Sequence, residues 1–294
     1  MFYRRKIILA LLQLFEGQLD KIRIQKLLFL FTQKQSKPEY DFVPYRYGCY
    51  SYSAKADLTK MVAKGLLEET KSHFTRLERT DYLKQVEADD LRRLQQVKTE
   101  YGKMSLKTLI KHTYVNYPFY ATKSEVAADI LTRTELKKVE ACRPKGNETV
   151  LFTIGYEGIS LEEYLVRLLK KDVKVLVDVR NNPLSMKYGF SKSQLKKYCE
   201  SLGVRYVHIP EVGVRSEQRQ SLNTQADYDK LFTVYRKENL KKTVNIQIHI
   251  LNLLEENKRI ALTCFEANIC QCHRKHLAEA IETLPGFEYR VEHI

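Results

Sequence analysis

The chain contains no run of 18 or more apolar residues, which excludes a transmembrane helix of ordinary length. A signal-peptide core is missing too: Met1-Phe2-Tyr3-Arg4-Arg5-Lys6 leads into an interrupted amphipathic stretch without a small-residue cleavage site. Cysteine is scarce and, apart from Cys264, Cys270 and Cys272, scattered at Cys49, Cys142 and Cys199, a usage that suits reduced thiols and not a secreted disulfide framework. These absences predict a cytoplasmic protein with no membrane partner.

What is present is 294 residues of ordinary globular composition, long enough for two domains with separate cores. The net charge is +14, and the excess lies in front: 28 Lys/Arg stand against 18 Asp/Glu over residues 1–148, and 22 against 18 beyond. A basic front half attracts polyanions, although basic proteins without such partners are common. Arg143-Pro144-Lys145-Gly146-Asn147, with a proline, a glycine and no apolar residue, is the natural linker between domains spanning 1–142 and 149–294.

Ile7–Phe15 and Ile22–Phe31 have helical apolar spacing, with Gly17 and Asp20 as stop and restart. A tyrosine-rich extended segment from Tyr40 to Ser53 follows, and Ser53 is expected to cap a third helix carrying Ala56, Leu58, Met61 and Val62. Gly65 closes that helix before the strand-like Leu66-Leu67-Glu68. Residues 81–140 read as helical, including a segment from Ala127 to Leu136. This order predicts a mainly helical, winged-helix-like domain whose third helix enters a major groove, with Lys55, Lys60 and Lys64 contacting phosphates. The alternative is an interaction or dimerisation module with tyrosines filling its core. The front region resembles winged-helix-like bacterial proteins of the YwgA and Panacea groups in Lys26-Leu27-Leu28-Phe29-Leu30, Tyr47-Gly48 before Tyr50-Ser51, Gly65-Leu66-Leu67, Leu109-Ile110 and Tyr114 to Pro118.

In the second half, Leu151-Phe152-Thr153-Ile154-Gly155-Tyr156-Glu157-Gly158 and Val173-Lys174-Val175-Leu176-Val177-Asp178-Val179-Arg180 are short apolar runs ending in polar residues or glycine. Strands buried on both faces of a parallel sheet end this way, and open α/β sheets place ligands at such carboxyl ends. Ser160 with Glu163 caps the intervening helix, and Ser191 with Gln194 opens another that Gly203 ends. Strands at Val204–Ile209, Arg259–Phe265 and Phe287–Glu292, with helices at Tyr228–Asn257, broken near Thr243, and Cys272–Thr283, complete an α/β domain with a mostly parallel sheet covered by helices.

Glu157, Asp178 and Glu266 are acids just past three strands, where crowded carboxylates suit general acid or base chemistry; structural pairing of Asp178 with Arg180, or of Glu266 with Arg274, is the plainer alternative. Gly155 and Gly158 permit close backbone approach before a helix whose amides face an anion. Cys264, Cys270, Cys272 and His273 have spacings that fit no common structural zinc pattern, so no metal site is expected. Cys272, opening a helix beside His273 and Arg274, has the setting of a thiolate with a depressed pKa, or simply packs under the sheet. His208 reads as a proton-transfer group or as a satisfied half-buried histidine.

The second half resembles the domain of unknown function 488. The resemblance rests on Thr153-Ile154-Gly155-Tyr156-Glu157-Gly158, Asp178-Val179-Arg180 with Asn182-Pro183, Gly189-Phe190-Ser191-Lys192, Tyr206-Val207-His208-Ile209-Pro210 with Glu211 and Gly213, and Cys264 with Glu266 before Cys272-His273-Arg274. It implies an α/β fold with a polar site at the strand ends, made of Tyr156, Arg180, Asn182, His208, Cys264, His273 and Arg274 beside the acids, sometimes compared with rhodanese-like or nucleotide-handling folds. Where that family has Ser-Arg after the proline block, this chain has Ser185-Met186-Lys187, and Lys187 only partly replaces a bidentate arginine.

Three functions follow as expectations. The first is a nucleic-acid-binding protein, DNA favoured over RNA, whose second domain hydrolyses a glycosidic or phosphodiester bond. The second is a DNA-binding regulator sensing a small anionic ligand. The third is a rhodanese-like sulfur carrier using Cys272 or Cys264. The sequence names no cofactor and leaves homo-oligomerisation open.

Overall fold

In the computed structural model, which describes residues 1–215, 218 and 222–294, the first two apolar stripes form α1 (Tyr3–Leu14) and α2 (Lys21–Thr32). The link between them is extended: Gly17 takes φ +83° and the chain runs as β1 (Gln18–Asp20) before α2. The tyrosine-rich segment folds on itself as β2 (Val43–Tyr45) and β3 (Gly48–Tyr50), an antiparallel pair.

The third helix, α3 (Tyr52–Ala63), starts earlier than its sequence suggests. Ser51, not Ser53, is extended at the cap and accepts from the Ala54 amide at 3.2 Å, because β3 delivers the chain in extended conformation up to Ser51. Gly65 ends α3 at φ +69°, with the Leu66 amide on the Met61 carbonyl and the Gly65 amide on Val62, a Schellman closure.

The single expected strand is a hairpin, β4 (Leu67–Glu69) and β5 (His73–Arg76), which pairs with β1 in the antiparallel order β1-β5-β4. Its second strand went unread because Thr70-Lys71-Ser72 carries no glycine or proline; the Thr70 hydroxyl supplies the turn by accepting from the Ser72 and His73 amides. α4 (Ala88–Tyr101) and α5 (Leu106–Asn116) follow. The expected helix through Ala127–Leu136 is two pieces, α6 (Ala127–Ile130) and α7 (Arg133–Ala141). Thr132 and Glu135 form a reciprocal capping box after an extended Leu131. At the centre Asp57 of α3, 1% exposed, binds Arg5 Nε at 2.6 Å and the Tyr40 hydroxyl at 3.0 Å.

The chain divides into two units, Met1–Arg143 and Pro144–Ile294. The second holds a five-stranded, all-parallel sheet of β6 (Val150–Gly155), β7 (Val175–Asp178), β8 (Arg205–His208), β9 (Arg259–Cys264) and β10 (Arg290–His293), in the order β10-β6-β9-β7-β8. β6, β9 and β7 are buried along their whole length, which is why they read as continuous apolar runs; the edge strands β8 and β10 are partly exposed. The helices are α8 (Leu161–Lys170), α9 (Lys192–Ser201), α10 (Gln225–Val234), α11 (Val244–Asn257) and α12 (His273–Glu282), with a π-helical stretch, Tyr235–Leu240, between α10 and α11. Thr243 precedes α11, at the expected break. No helix among the described residues is long and apolar enough to cross a membrane.

Side-chain alternation sorts the sheet into an apolar and a more polar face. Val175, Val177 and Val179 pack with Ile260 and Leu262 against Ile250 and Leu254 of α11 and Leu277 and Ile281 of α12. On the opposite face the Tyr164 hydroxyl of α8 donates to Thr263 at 2.7 Å, and Tyr206 of β8 reaches Asp178.

Candidate functional site

At the carboxyl ends of β6, β7 and β9 a cleft of about 330 Å³ is lined by Tyr156, Arg180, Asn181, Asn182, Ser185 and Phe265, with Cys264 in its floor. A larger hollow of about 870 Å³ in the first unit is lined by Glu16 and Asp20 together with Arg23, Lys98 and Lys103, charges of both signs that select no ligand. The strand-end cleft is the better candidate because it gathers one guanidinium and two amides at the place where this class of sheet binds ligands.

Its framework is an ion pair. Asp178, wholly buried, accepts from Arg180 Nε at 2.8 Å and from Nη2 at 2.5 Å, and also from the Arg180 amide at 3.1 Å and the Tyr206 hydroxyl at 2.6 Å. Arg180 Nη1 donates to the Tyr156 hydroxyl at 2.7 Å and the Phe190 carbonyl at 2.9 Å. Burial opposes the guanidinium charge, but the Asp178 hydrogen bonds and charge outweigh it and raise the Arg180 pKa above its ordinary value. With four donors on it, Asp178 holds Arg180 in place, and the pairing of these two residues is the one the sequence admitted as the plainer alternative. Tyr156 stacks on Phe190 at 4.2 Å between ring centres and meets Phe265 edge-on at 5.3 Å. Burial raises the Tyr156 phenol pKa, so the ring stays protonated.

The other acids lie apart from that pair. Glu157 is exposed and accepts from the Ala267 amide at 2.9 Å, tying the turn after β6 to the loop after β9. Glu266 is partly buried and accepts from the Cys264 thiol at 3.1 Å. Gly155 is required by close approach: a Cβ there would lie 2.0 Å from the Glu266 carbonyl oxygen. Its bare backbone thus faces the protein's own loop. Gly158, at φ +77°, makes the tight turn before α8, where the Ser160 hydroxyl accepts from the Glu163 amide at 3.0 Å.

Arg274, 3% exposed, donates to the Glu266 and Ala267 carbonyls and leaves Nε buried without a partner. His208 donates from Nε2 to the Arg180 carbonyl at 2.9 Å and accepts from Lys192 Nζ at Nδ1, also at 2.9 Å, so both ring nitrogens are engaged. Lys187 donates to the Tyr156 carbonyl at 2.6 Å, and burial lowers its pKa. Ser191 does not cap α9 with its side chain. Its hydroxyl binds Ser185 main-chain atoms and Gln194 accepts from Gly189, so both polar groups shape the cleft loop instead.

Cys272 is fully buried at the cap of α12, and burial pushes its thiol well up, opposite to the depressed pKa expected for a helix-opening cysteine. Desolvation outweighs the helix dipole and Arg274 there. Cys264, Cys272 and His273 bring their ligand-type atoms within 4.8 Å of one another. Cys270 is exposed and lies outside this group. Their spacing concealed this, because Cys264 ends a strand while Cys272 and His273 begin a helix.

In the first unit Lys60 is exposed on α3 and Lys64 at its C-cap, whereas Lys55 is paired with Glu69 at 2.7 Å. Sequence reasoning placed Asn181 at the strand end and missed the parts played by Phe190, Tyr206 and Phe265. Tyr206 carried a signal, since a tyrosine on a strand beside a buried acid needs an acceptor for its hydroxyl.

Residues 160–281 match the family described as Domain of unknown function DUF488. The match lies within the carboxyl-terminal unit and takes in β7, β8 and β9 with α8 to α11 and nearly all of α12, while β6 and β10 fall outside it. No curated protein matches the chain.

Proposed function

We propose that this protein binds nucleic acid, with DNA as the preferred partner, and holds one nucleotide of it, or a free nucleotide, in the strand-end cleft of the carboxyl-terminal unit. The observation that carries this reading is the cleft's mixed lining. Asn181, Asn182 and Arg180 offer polar contacts, while Leu184, Met186 and Phe265 are exposed apolar side chains on its rim, 76%, 105% and 41% accessible. A flat base with a sugar and phosphate matches that mixture: base faces stack on apolar and aromatic side chains, and amides and guanidinium groups bind phosphate.

The first unit supports a polyanion partner through its basic balance and through the exposed Lys60 on α3 and Lys64 at its C-cap. Its helix, strand, helix, hairpin, helix, hairpin order supports a winged-helix-like reading of this unit. Lys55, neutralised by Glu69, has no part in the reading.

Hydrolysis of a glycosidic or phosphodiester bond is the second reading. What favours it is Glu266, a partly buried carboxylate immediately after the cleft residues Cys264 and Phe265. In that reading Asp178 positions Arg180 and Glu266 handles the proton. A sulfur-carrier role draws no support, because burial keeps the Cys272 thiol protonated.

The test is a fluorescence titration of the full chain with labelled single- and double-stranded DNA and RNA at two salt concentrations, with the same samples run on a denaturing gel. Salt-sensitive binding weakened about tenfold by Phe265→Ala, roughly the 1–3 kcal/mol of one stacked base, is expected. Binding unaffected by both Phe265→Ala and Asn182→Ala refutes the cleft assignment, and no binding to any of the four refutes the whole proposal. A cleaved product that vanishes with Glu266→Gln establishes the second reading.

A further inference from the structure

The group formed by the end of β9 and the start of α12 is unused by the proposed function and has the chemistry of a metal centre. We propose that Cys264, Cys272 and His273 form a three-ligand site for a borderline-soft divalent cation, zinc above all.

The geometry is close to what such an ion needs. The ligand-type atoms of Cys264, Cys272 and His273 lie within 4.8 Å of one another, and all three residues are fully buried. Cys264 Sγ is 3.5 Å from His273 Nδ1. Zn–S bonds of about 2.3 Å and Zn–N bonds of about 2.0–2.1 Å in a tetrahedron put sulfur and nitrogen about 3.5–3.6 Å apart, so this edge is already the right length. Glu266 Oε2 lies 3.1 Å from Cys264 Sγ but is not among the ligand-type atoms that all lie within 4.8 Å of one another, so it neighbours the three ligands without joining them.

The histidine is oriented as a ligand. His273 Nε2 lies 3.1 Å from the Val179 carbonyl, which only accepts, so the proton sits on Nε2 and the Nδ1 lone pair points toward Cys264. A metal-binding histidine is held in this way by a hydrogen bond from its other nitrogen. Val179 adjoins Arg180 at the end of β7, so the same carbonyl links the cation site to the cleft framework.

Charge completes the argument. Two thiolates in this buried place are costly alone, and a dication neutralises them on binding, with both thiol protons released to solvent. Thiolates and an imidazole select zinc-like ions over magnesium or calcium, which take oxygen ligands. The cation would fasten the start of α12 to the end of β9. Because Cys264 lies in the cleft floor, it would stand beside the ligand as well. This inference stands independently of the proposed function.

The experiment is a zinc titration of the reduced full chain against a chromophoric chelator, with non-denaturing mass spectrometry of the product. One zinc per chain is expected, at a mass increase equal to zinc less two hydrogens, and cobalt in its place should give intense thiolate charge-transfer and tetrahedral bands. Cys272→Ser and His273→Gln should each weaken binding at least tenfold, while Cys270→Ser should leave it unchanged. The wild-type stoichiometry alone keeps the test decisive if a cysteine variant fails to fold. A folded, reduced wild type that takes up no zinc overturns the proposal, as does binding that Cys270→Ser abolishes. A chain isolated two hydrogens lighter, with Cys264 and Cys272 bridged and refractory to zinc after reduction, overturns it in favour of a redox pair.

Discussion

Removing the carboxylate of Asp178 should expose how much of the carboxyl-terminal domain rests on one buried ion pair. Asp178→Asn keeps the shape but leaves the Arg180 guanidinium, 5% exposed, without its counter-charge, and turns an amide nitrogen toward a group that only donates. Breaking a buried pair from one side costs about 3–5 kcal/mol, and the Tyr206 hydroxyl loses a charge-assisted bond of roughly 1.5–3 kcal/mol in part. A loss of about 3 kcal/mol or more is expected. Arg180→Met should cost a similar amount by stranding Asp178. The double variant should be more stable than the sum of the two losses implies, with a coupling of at least about 2 kcal/mol, since neither charge is then buried alone. Amide hydrogen exchange of β7 and β9 in the full chain follows the domain specifically. Losses below about 0.5 kcal/mol for Asp178→Asn, or additive losses in the double variant, would show that solvent already screens the pair and refute the reasoning.

Other outcomes follow from single features. Gly155→Ala should destabilise the domain by about 2 kcal/mol or more, since the new methyl group meets a backbone oxygen that has no rotamer to escape into; a thermal shift below one degree would contradict this. Ser51→Ala should cost about 1 kcal/mol in urea unfolding and Ser53→Ala clearly less, whereas the reverse order would return the α3 cap to Ser53. Lys26 is 1% exposed, donates to the Cys49 carbonyl at 3.0 Å, and has a pKa lowered by burial. As pH rises through that lowered value the folded state sheds a proton that the unfolded state keeps until its own pKa near 10.4, so stability should climb over that interval. Denaturation midpoints measured across alkaline pH should show this climb in the wild type and lose it in Lys26→Met; an identical slope in both would exclude Lys26 as its source.

The sequence declared the central strands most openly. Leu151 to Ile154 and Val175 to Val177 are buried on both faces, so neither periodicity nor length disguises them, and the polar residues that end them fall at the cleft. Two elements were hidden for the same reason, that side-chain hydroxyls replaced the usual glycine or proline: the Thr70 turn into β5 and the Thr132 cap that divides α6 from α7. Within the site, residue types were legible but partners were not. Asp178 and Arg180 sit two apart and could be paired on paper, whereas Tyr206 and Phe190 enter from separate elements and gain meaning only once β8 lies beside β7. The Cys264, Cys272 and His273 cluster was obscured because ligand-spacing rules describe short loops, and here a strand end and a helix start are folded together.

The alternation along β7 gives this domain a division of labour with an evolutionary reading. Odd-numbered valines face the α11 and α12 packing, while Asp178 and its pair with Arg180 belong to the opposite side. Chemistry at the strand end can therefore be rewritten by changing residues on one side, leaving the other side's oil-like contacts intact. A single inserted residue within β7 would exchange the two sides at once, putting a carboxylate among leucines and a valine where the guanidinium's anchor should be. Point substitution is the open route for this domain to acquire new ligands, and insertion inside that strand is the closed one.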